Sequence, residues 1–126
     1  MRFTRIWLVL ALIIPMAACS SVFGETPEQQ IYAVKSQYLT ALNLVEKYEG
    51  LPRCLAGQTF LQNACSEQPV VDTIRKVVHT SWDAIKGAET VIYTPGVADS
   101  NVKLAIASAQ QAVVTFSNAA NALGVK

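Results

Sequence analysis

Apolar and small residues recur along three stretches of the chain at the spacing of a single helix face. Over residues 27–49, in steps of three and four, they are Ile31, Val34, Tyr38, Ala41, Val45 and Tyr48. Over 67–93 they are Val71, Ile74, Val78, Trp82, Ile85, Ala88 and Ile92. Over 100–123 they are Val102, Ile106, Ala109, Val113, Phe116, Ala120 and Leu123. Each stretch therefore predicts an amphipathic helix whose apolar stripe faces a core.

Residues that start and stop helices bound these three segments. Thr26 is followed three residues later by Gln29, which is the spacing of a capping box, and Pro27 suits the first helical position. Ser66 is the expected cap of the second helix. The strings "GLP" and "TPG" follow the first two segments and break the chain there.

The 126 residues have room for one domain. Three helices with one apolar stripe each, joined by short connections, pack best as an antiparallel bundle. No segment of useful length alternates with the period of two that a strand needs. The sequence therefore predicts an all-α fold, an antiparallel three-helix bundle over residues 26–126.

The N-terminus has a different composition from the rest of the chain and holds part of its 52% apolar content. Arg2 and Arg5 precede an unbroken apolar run from Ile6 to Ile14, and Pro15 and small residues follow before Cys19. This is the layout of a secretory signal peptide. The run is shorter than the roughly 20 residues that a membrane-spanning helix needs. We expect residues 1–18 to be removed.

The string "MAAC", from Met16 to Cys19, resembles the lipobox of bacterial lipoproteins, in which the cysteine is acylated and signal peptidase II cuts before it. The resemblance implies a lipid on Cys19, a tether over residues 19–25 and stable anchoring in the cell envelope, since several acyl chains hold a protein on a membrane. Ser20, where an Asp would favour the inner membrane, implies the periplasmic face of the outer membrane. The alternative is ordinary secretion with cleavage a few residues later, which would remove Cys19 and leave a soluble periplasmic protein.

Cleavage before Cys19 also changes the charge. The chain has ten Lys and Arg residues against nine Asp and Glu, and the signal peptide carries two of the basic ones. The remainder has a net charge of −1 with the two signs interspersed. Because no basic patch is present, nucleic acid is not an expected partner.

Cys54 and Cys65 remain as a pair with ten residues between them. In an oxidising compartment such a pair is most simply a disulfide. A zinc site needs four ligands as a rule, and the chain has one histidine, His79. A redox pair is expected as Cys-x-x-Cys. The sequence predicts a cystine loop over residues 50–66 and neither a metal nor a cofactor.

His79 can share a helix face with Arg75 and Asp83, and a solvated surface cluster is the expected arrangement. No nucleophile is placed to work with this histidine, so no catalytic residue is predicted. Four aromatic residues of the helices could stack on a ligand, namely Tyr32, Tyr38, Tyr48 and Trp82. At helical spacing they are instead expected in the core, with tyrosine hydroxyls at its edges.

Three apolar residues of the loop, Leu55, Phe60 and Leu61, have two possible fates. They fold back over the open end of the bundle, which is the favoured interpretation, or they form a contact patch. The loop is thus the candidate interaction site.

The sequence as a whole predicts an envelope lipoprotein that binds an unknown protein or has a structural role, without catalysis. One alternative is an exclusion lipoprotein of a mobile element, or an inhibitor of a periplasmic enzyme, acting through the 54–65 loop. Another is a small-ligand-binding bundle with a polar pocket around His79. A further set of residues extends from the first predicted helix through the cystine loop to the start of the second: Tyr38, Ala41, Leu42, Tyr48, Leu51, Pro52, Cys54, Cys65, Ser66 and Val71. This set resembles small lipoproteins of proteobacteria, some of them associated with prophages, and the resemblance implies no activity.

Overall fold

The computed structural model describes residues 26–60 and 64–125, and three helices make up most of them. Helix α1 is Pro27–Glu49, α2 is Gln68–Tyr93 and α3 is Asp99–Asn121. The predicted bounds agree with these to within two residues. The signal peptide, residues 1–18, and the tether, residues 19–25, lie outside the described part of the chain.

Contacts between the helices establish the antiparallel bundle. Lys35 pairs with Glu89, and Glu49 pairs with Arg75, so α1 and α2 run in opposite directions. Every helix packs on the other two, and the predicted all-α bundle is confirmed. Within residues 26–60 and 64–125 the only strand-like pairing is an isolated bridge in the loop. No helix there is long and apolar enough to cross a membrane.

The core is built from the predicted stripes of α1 and α3. All six stripe positions of α1 are buried, as are all those of α3 except Val102, which is half-buried. At its centre the ring of Tyr38 lies 5.3 Å from that of Phe116 and 5.5 Å from that of Trp82. Aromatic rings at these distances attract each other beyond the area that they bury.

The stripe predicted for α2 is wrong at its middle. Trp82 is 37% exposed, and Ser81 takes the fully buried position beside it. The serine hydroxyl donates to the backbone carbonyl of Ala112, 3.1 Å away on α3. A small side chain that satisfies its own polar group fits a close helix crossing, whereas an indole does not fit there. Trp82 instead packs on Tyr38 from the edge of the bundle.

The expectation that Tyr32 is a core residue is also wrong, because its side chain is 77% exposed. The predicted cap of α2 is wrong as well. The N-cap is Glu67, which has no side-chain cap, whereas Ser66 is used within the loop. The capping box at the start of α1 is confirmed, with Thr26 and Gln29 each bonding to the backbone N–H of the other.

Candidate interaction site in the cystine loop

The base of the loop is closed by covalent and backbone bonds together. Cys54 and Cys65 form the predicted disulfide, with their Cα atoms 4.9 Å apart. The N–H of Cys54 donates to the carbonyl of Ser66 at 3.1 Å, and the N–H of Ser66 donates to that of Pro52 at 2.8 Å. The hydroxyl of Ser66 donates to the carbonyl of Leu51 at 3.1 Å. These bonds fix the two ends of the loop against each other.

A second set of bonds joins the loop to the bundle. The buried Tyr48 hydroxyl accepts from the N–H of Glu67 at 2.9 Å. The carboxylate of Glu67 accepts in turn from the N–H of Phe60, also at 2.9 Å. Through this relay of two hydrogen bonds, the end of α1 is joined to the residue that precedes α2, and that residue is joined to Phe60 of the loop.

Phe60 folds back onto the bundle. Its ring lies 5.6 Å from the ring of Tyr48 and packs against the core. On its other side is Gly124, just after α3, where a Cβ would lie 3.3 Å from the phenyl ring. Gly124 also has φ +70°, a conformation that favours glycine. The phenyl group therefore closes the end of the bundle between α1 and α3.

Leu55 has the opposite fate and is 71% exposed. It opens a four-residue turn in which the N–H of Gln58 donates to the Leu55 carbonyl at 2.9 Å. The side-chain oxygen of Gln58 accepts from the Leu55 N–H at 3.3 Å, and Gly57 supplies the positive φ of the turn. Leu55 is thus an apolar side chain on an ordered turn. Leu61, the third predicted residue, lies outside the described part of the chain.

An ion pair holds the helices beside the loop. Arg75 donates from Nε and Nη2 to the two carboxylate oxygens of Glu49, each at 2.9 Å. These bonds, together with the positive charges of Arg75 and Arg53, lower the pKa of Glu49 from its ordinary value of 4.5. The pair therefore joins the last turn of α1 to α2 at neutral pH.

His79 is exposed, as the predicted surface cluster requires. Its neighbours are engaged elsewhere, since Arg75 bonds Glu49 and Asp83 lies 3.4 Å from Lys86. An exposed imidazole is not the centre of the buried polar pocket that a small-ligand-binding bundle would place around it. Among residues 26–60 and 64–125, no group of three or more His, Cys, Asp or Glu side chains is arranged to hold a metal ion.

The periodicity did not predict an apolar groove between α2 and α3. It is an open depression of about 440 Å³ near the loop end, lined by Val70, Thr73 and Val77 on one side and by Ala119 and Ala122 on the other. The valines lie beside the predicted stripe of α2 and not on it. The available signal was the alanine content of α3, because small side chains leave space between neighbouring helices.

The lipobox at Cys19 lies outside the described residues, so the lipoprotein resemblance stays a prediction. The resemblance to small proteobacterial lipoproteins stays a prediction too. No protein-family model matches this chain, and it matches neither a curated protein nor a solved structure.

Proposed function

We propose that this chain is a lipid-anchored protein of the bacterial cell envelope whose bundle presents the cystine loop to a protein partner. The signal-like N-terminus with Cys19 supports the anchor. The observation that carries the binding role is the exposed Leu55 on a loop that a disulfide and several hydrogen bonds hold in place.

The position of the loop supports this role. The 23 residues of α1 separate Thr26 from the loop by about 35 Å, at 1.5 Å per residue. A lipid on Cys19 would lie within about 23 Å of Thr26, the reach of seven extended residues. Leu55 would therefore lie at the end of the bundle opposite the anchor.

The chemistry of the loop also suits a protein surface. No charged residue occurs between Cys54 and Cys65. Interfaces are depleted of charge at their centres, where apolar anchors fill pockets of the partner. Because the turn of residues 55–58 is already held by its own hydrogen bonds, binding through Leu55 would lose little conformational entropy.

The anchor is tested by the intact mass of the protein extracted from membranes, with and without reductant. We expect a chain that begins at Cys19 and carries acyl groups, and that gains the mass of two hydrogen atoms when the reductant converts the disulfide to two thiols. An uncleaved or unlipidated chain would refute the anchor, and two free thiols before reduction would refute the oxidised loop.

The binding role is tested by placing a photo-crosslinking residue at position 55 of the lipidated protein in its own membranes. Leu39, also a strongly exposed leucine but on the middle of α1, is the matched control position. We expect a discrete adduct from position 55 that position 39 does not give and that unlabelled wild-type protein suppresses. Equal adducts from both positions would refute a binding role for the loop.

A second candidate function is inhibition of a periplasmic enzyme, or exclusion on behalf of a mobile element, by the same loop. The rigid turn favours it, since a preorganised loop with one protruding apolar side chain fits a concave site. Leu55→Ser should abolish such inhibition, whereas Leu39→Ser should not. Phe60→Ala is a poorer test, because the phenyl ring packs on Tyr48 and its loss would disturb the fold.

A further inference from the structure

Three large apolar side chains are exposed at the end of the bundle that lies opposite the cystine loop. We call this end, formed by the start of α1, the end of α2 and the start of α3, the tether end. The three are Tyr32, Tyr93 and Leu104, which are 77%, 65% and 69% exposed. Tyr93 is the last residue of α2, while Tyr32 and Leu104 are each the sixth residue of their helix. All three therefore lie within about 8 Å of the tether end along the helix axes.

The rest of the tether end is weakly charged. The connection between α2 and α3, residues 94–98, contains no charged residue. In the outermost six residues of each helix the charged side chains are Glu28, Glu89, Asp99 and Lys103, and Glu89 is paired with Lys35. The net charge of this group, with Lys35, is −1. A partner at this end would therefore be held by apolar and aromatic contacts and not by charge.

From these positions we infer that the tether end of the bundle rests in the headgroup region of the bilayer, with Tyr32, Tyr93 and Leu104 inserted between lipids. The inference rests on the proposed acylation of Cys19. That anchor keeps Thr26, at the same end, within about 23 Å of the lipid. The three side chains are then the apolar groups that the membrane meets first.

The chemistry of these side chains matches that of the interface. Tyrosine is enriched where bilayers meet water, because its ring is apolar and its hydroxyl is polar. Protein surfaces that lie in this region insert about 5–10 Å into it, which is the depth over which the three residues are distributed. Because the tether end has no excess of cations, its contact with lipid requires no anionic headgroup.

The test uses the full lipidated protein in phosphatidylethanolamine vesicles whose acyl chains carry bromine, which quenches nearby tryptophan. Tyr93→Trp reports from the tether end, and Leu55→Trp reports from the equally exposed far end. Wild-type protein gives the baseline from Trp82, since Trp7 lies in the segment that is removed. We expect a loss of emission for Tyr93→Trp beyond this baseline and none for Leu55→Trp.

A second comparison tests the contact itself. Tyr32→Ser and Leu104→Ser, added to Tyr93→Trp, should weaken its quenching. The matched pair Leu39→Ser and Val114→Ser, which removes exposed apolar side chains farther from the tether end, should leave the quenching unchanged.

The intact mass of each preparation separates the two proposals. If the acyl groups are present and Tyr93→Trp is no more quenched than wild type, the bundle stands away from the bilayer, and this inference alone is overturned. Protection of that tryptophan from a water-soluble quencher, without quenching by brominated lipid, would place a protein such as a second copy there and overturn it as well. An unlipidated chain would overturn the proposed anchor and this inference together.

Discussion

Removal of the disulfide should lower the stability of the bundle by a predictable amount without unfolding it. The bonded cysteines are 11 residues apart in sequence. Closing a loop of that length restricts the unfolded chain, and in the loop-entropy model this contributes about 2.8 kcal/mol at room temperature. The helices themselves should persist, because the core between α1, α2 and α3 is formed by residues outside the loop.

The measurement is urea unfolding of the chain from residue 19, followed by far-ultraviolet circular dichroism. Cys19→Ser is included throughout so that no third thiol interferes. For slopes of 1–3 kcal/mol per M, the loss of the disulfide should lower the urea midpoint by about 1–3 M. Reduced protein and the Cys54→Ser, Cys65→Ser double variant should unfold at similar urea concentrations.

Two results would contradict this reasoning. A loss of less than about 1 kcal/mol would mean that residual structure restricts this loop in the unfolded chain, for example through the bonds of Ser66 and Glu67. The disulfide would then remove little further conformational freedom from the unfolded state. A double variant much less stable than the reduced protein would trace the effect to serine at the buried position 65 and not to the missing cross-link.

Phe116→Ala should lower the free energy of unfolding by about 3–5 kcal/mol, since the ring is fully buried. Val114→Ala, on the exposed side of the same helix, should lower it by less than about 0.5 kcal/mol. Equal losses in urea unfolding would contradict the assigned core. Ser81→Ala should cost only about 1 kcal/mol in the same assay, because the carbonyl that loses its hydroxyl partner belongs to a helix and keeps its backbone bond there; a loss above about 3 kcal/mol would contradict this. Arg75→Gln should slightly lower the melting temperature at neutral pH. Since the pKa of Glu49 is lowered in the folded state, the ion pair stabilises the fold above the ordinary pKa of 4.5, and this stabilisation disappears as the pH falls through the lowered pKa. The melting temperatures of wild type and variant should therefore converge in acid. A constant difference between them across that pH range would refute the electrostatic explanation.

The helices were predictable because their signals are local. In α1 the apolar steps, the capping residues and the stop signal agree with one another, and each stripe position is buried as expected. The disulfide was predictable by elimination once the compartment had been inferred. Neither prediction required knowledge of which helices are neighbours.

The errors occur where a neighbour decides the outcome. Periodicity ranks Trp82 above Ser81 because it scores hydrophobicity, but the crossing of α2 with α3 selects the smaller side chain. Leu55 and Phe60 are both apolar loop residues, and only Phe60 has Tyr48 and Gly124 within reach. No pattern within the loop distinguishes them, since these partners are remote in sequence.

The two connections of the bundle differ in a way that packing alone does not require. Residues 94–98 join α2 to α3 with five residues, whereas residues 50–67 join α1 to α2 with eighteen. Connections between adjacent helices need about 2–8 residues, and much longer loops are usually either functional or disordered. Fixing the described residues of this connection costs conformational entropy, which the disulfide and the hydrogen bonds joining Tyr48, Glu67 and Phe60 offset in part. Of these residues, Phe60 closes the bundle end, but Leu55 contributes nothing to the core. A long connection that is held by a disulfide at its base and yet exposes Leu55 supports the proposal that this leucine binds a partner, because packing of the bundle does not require it.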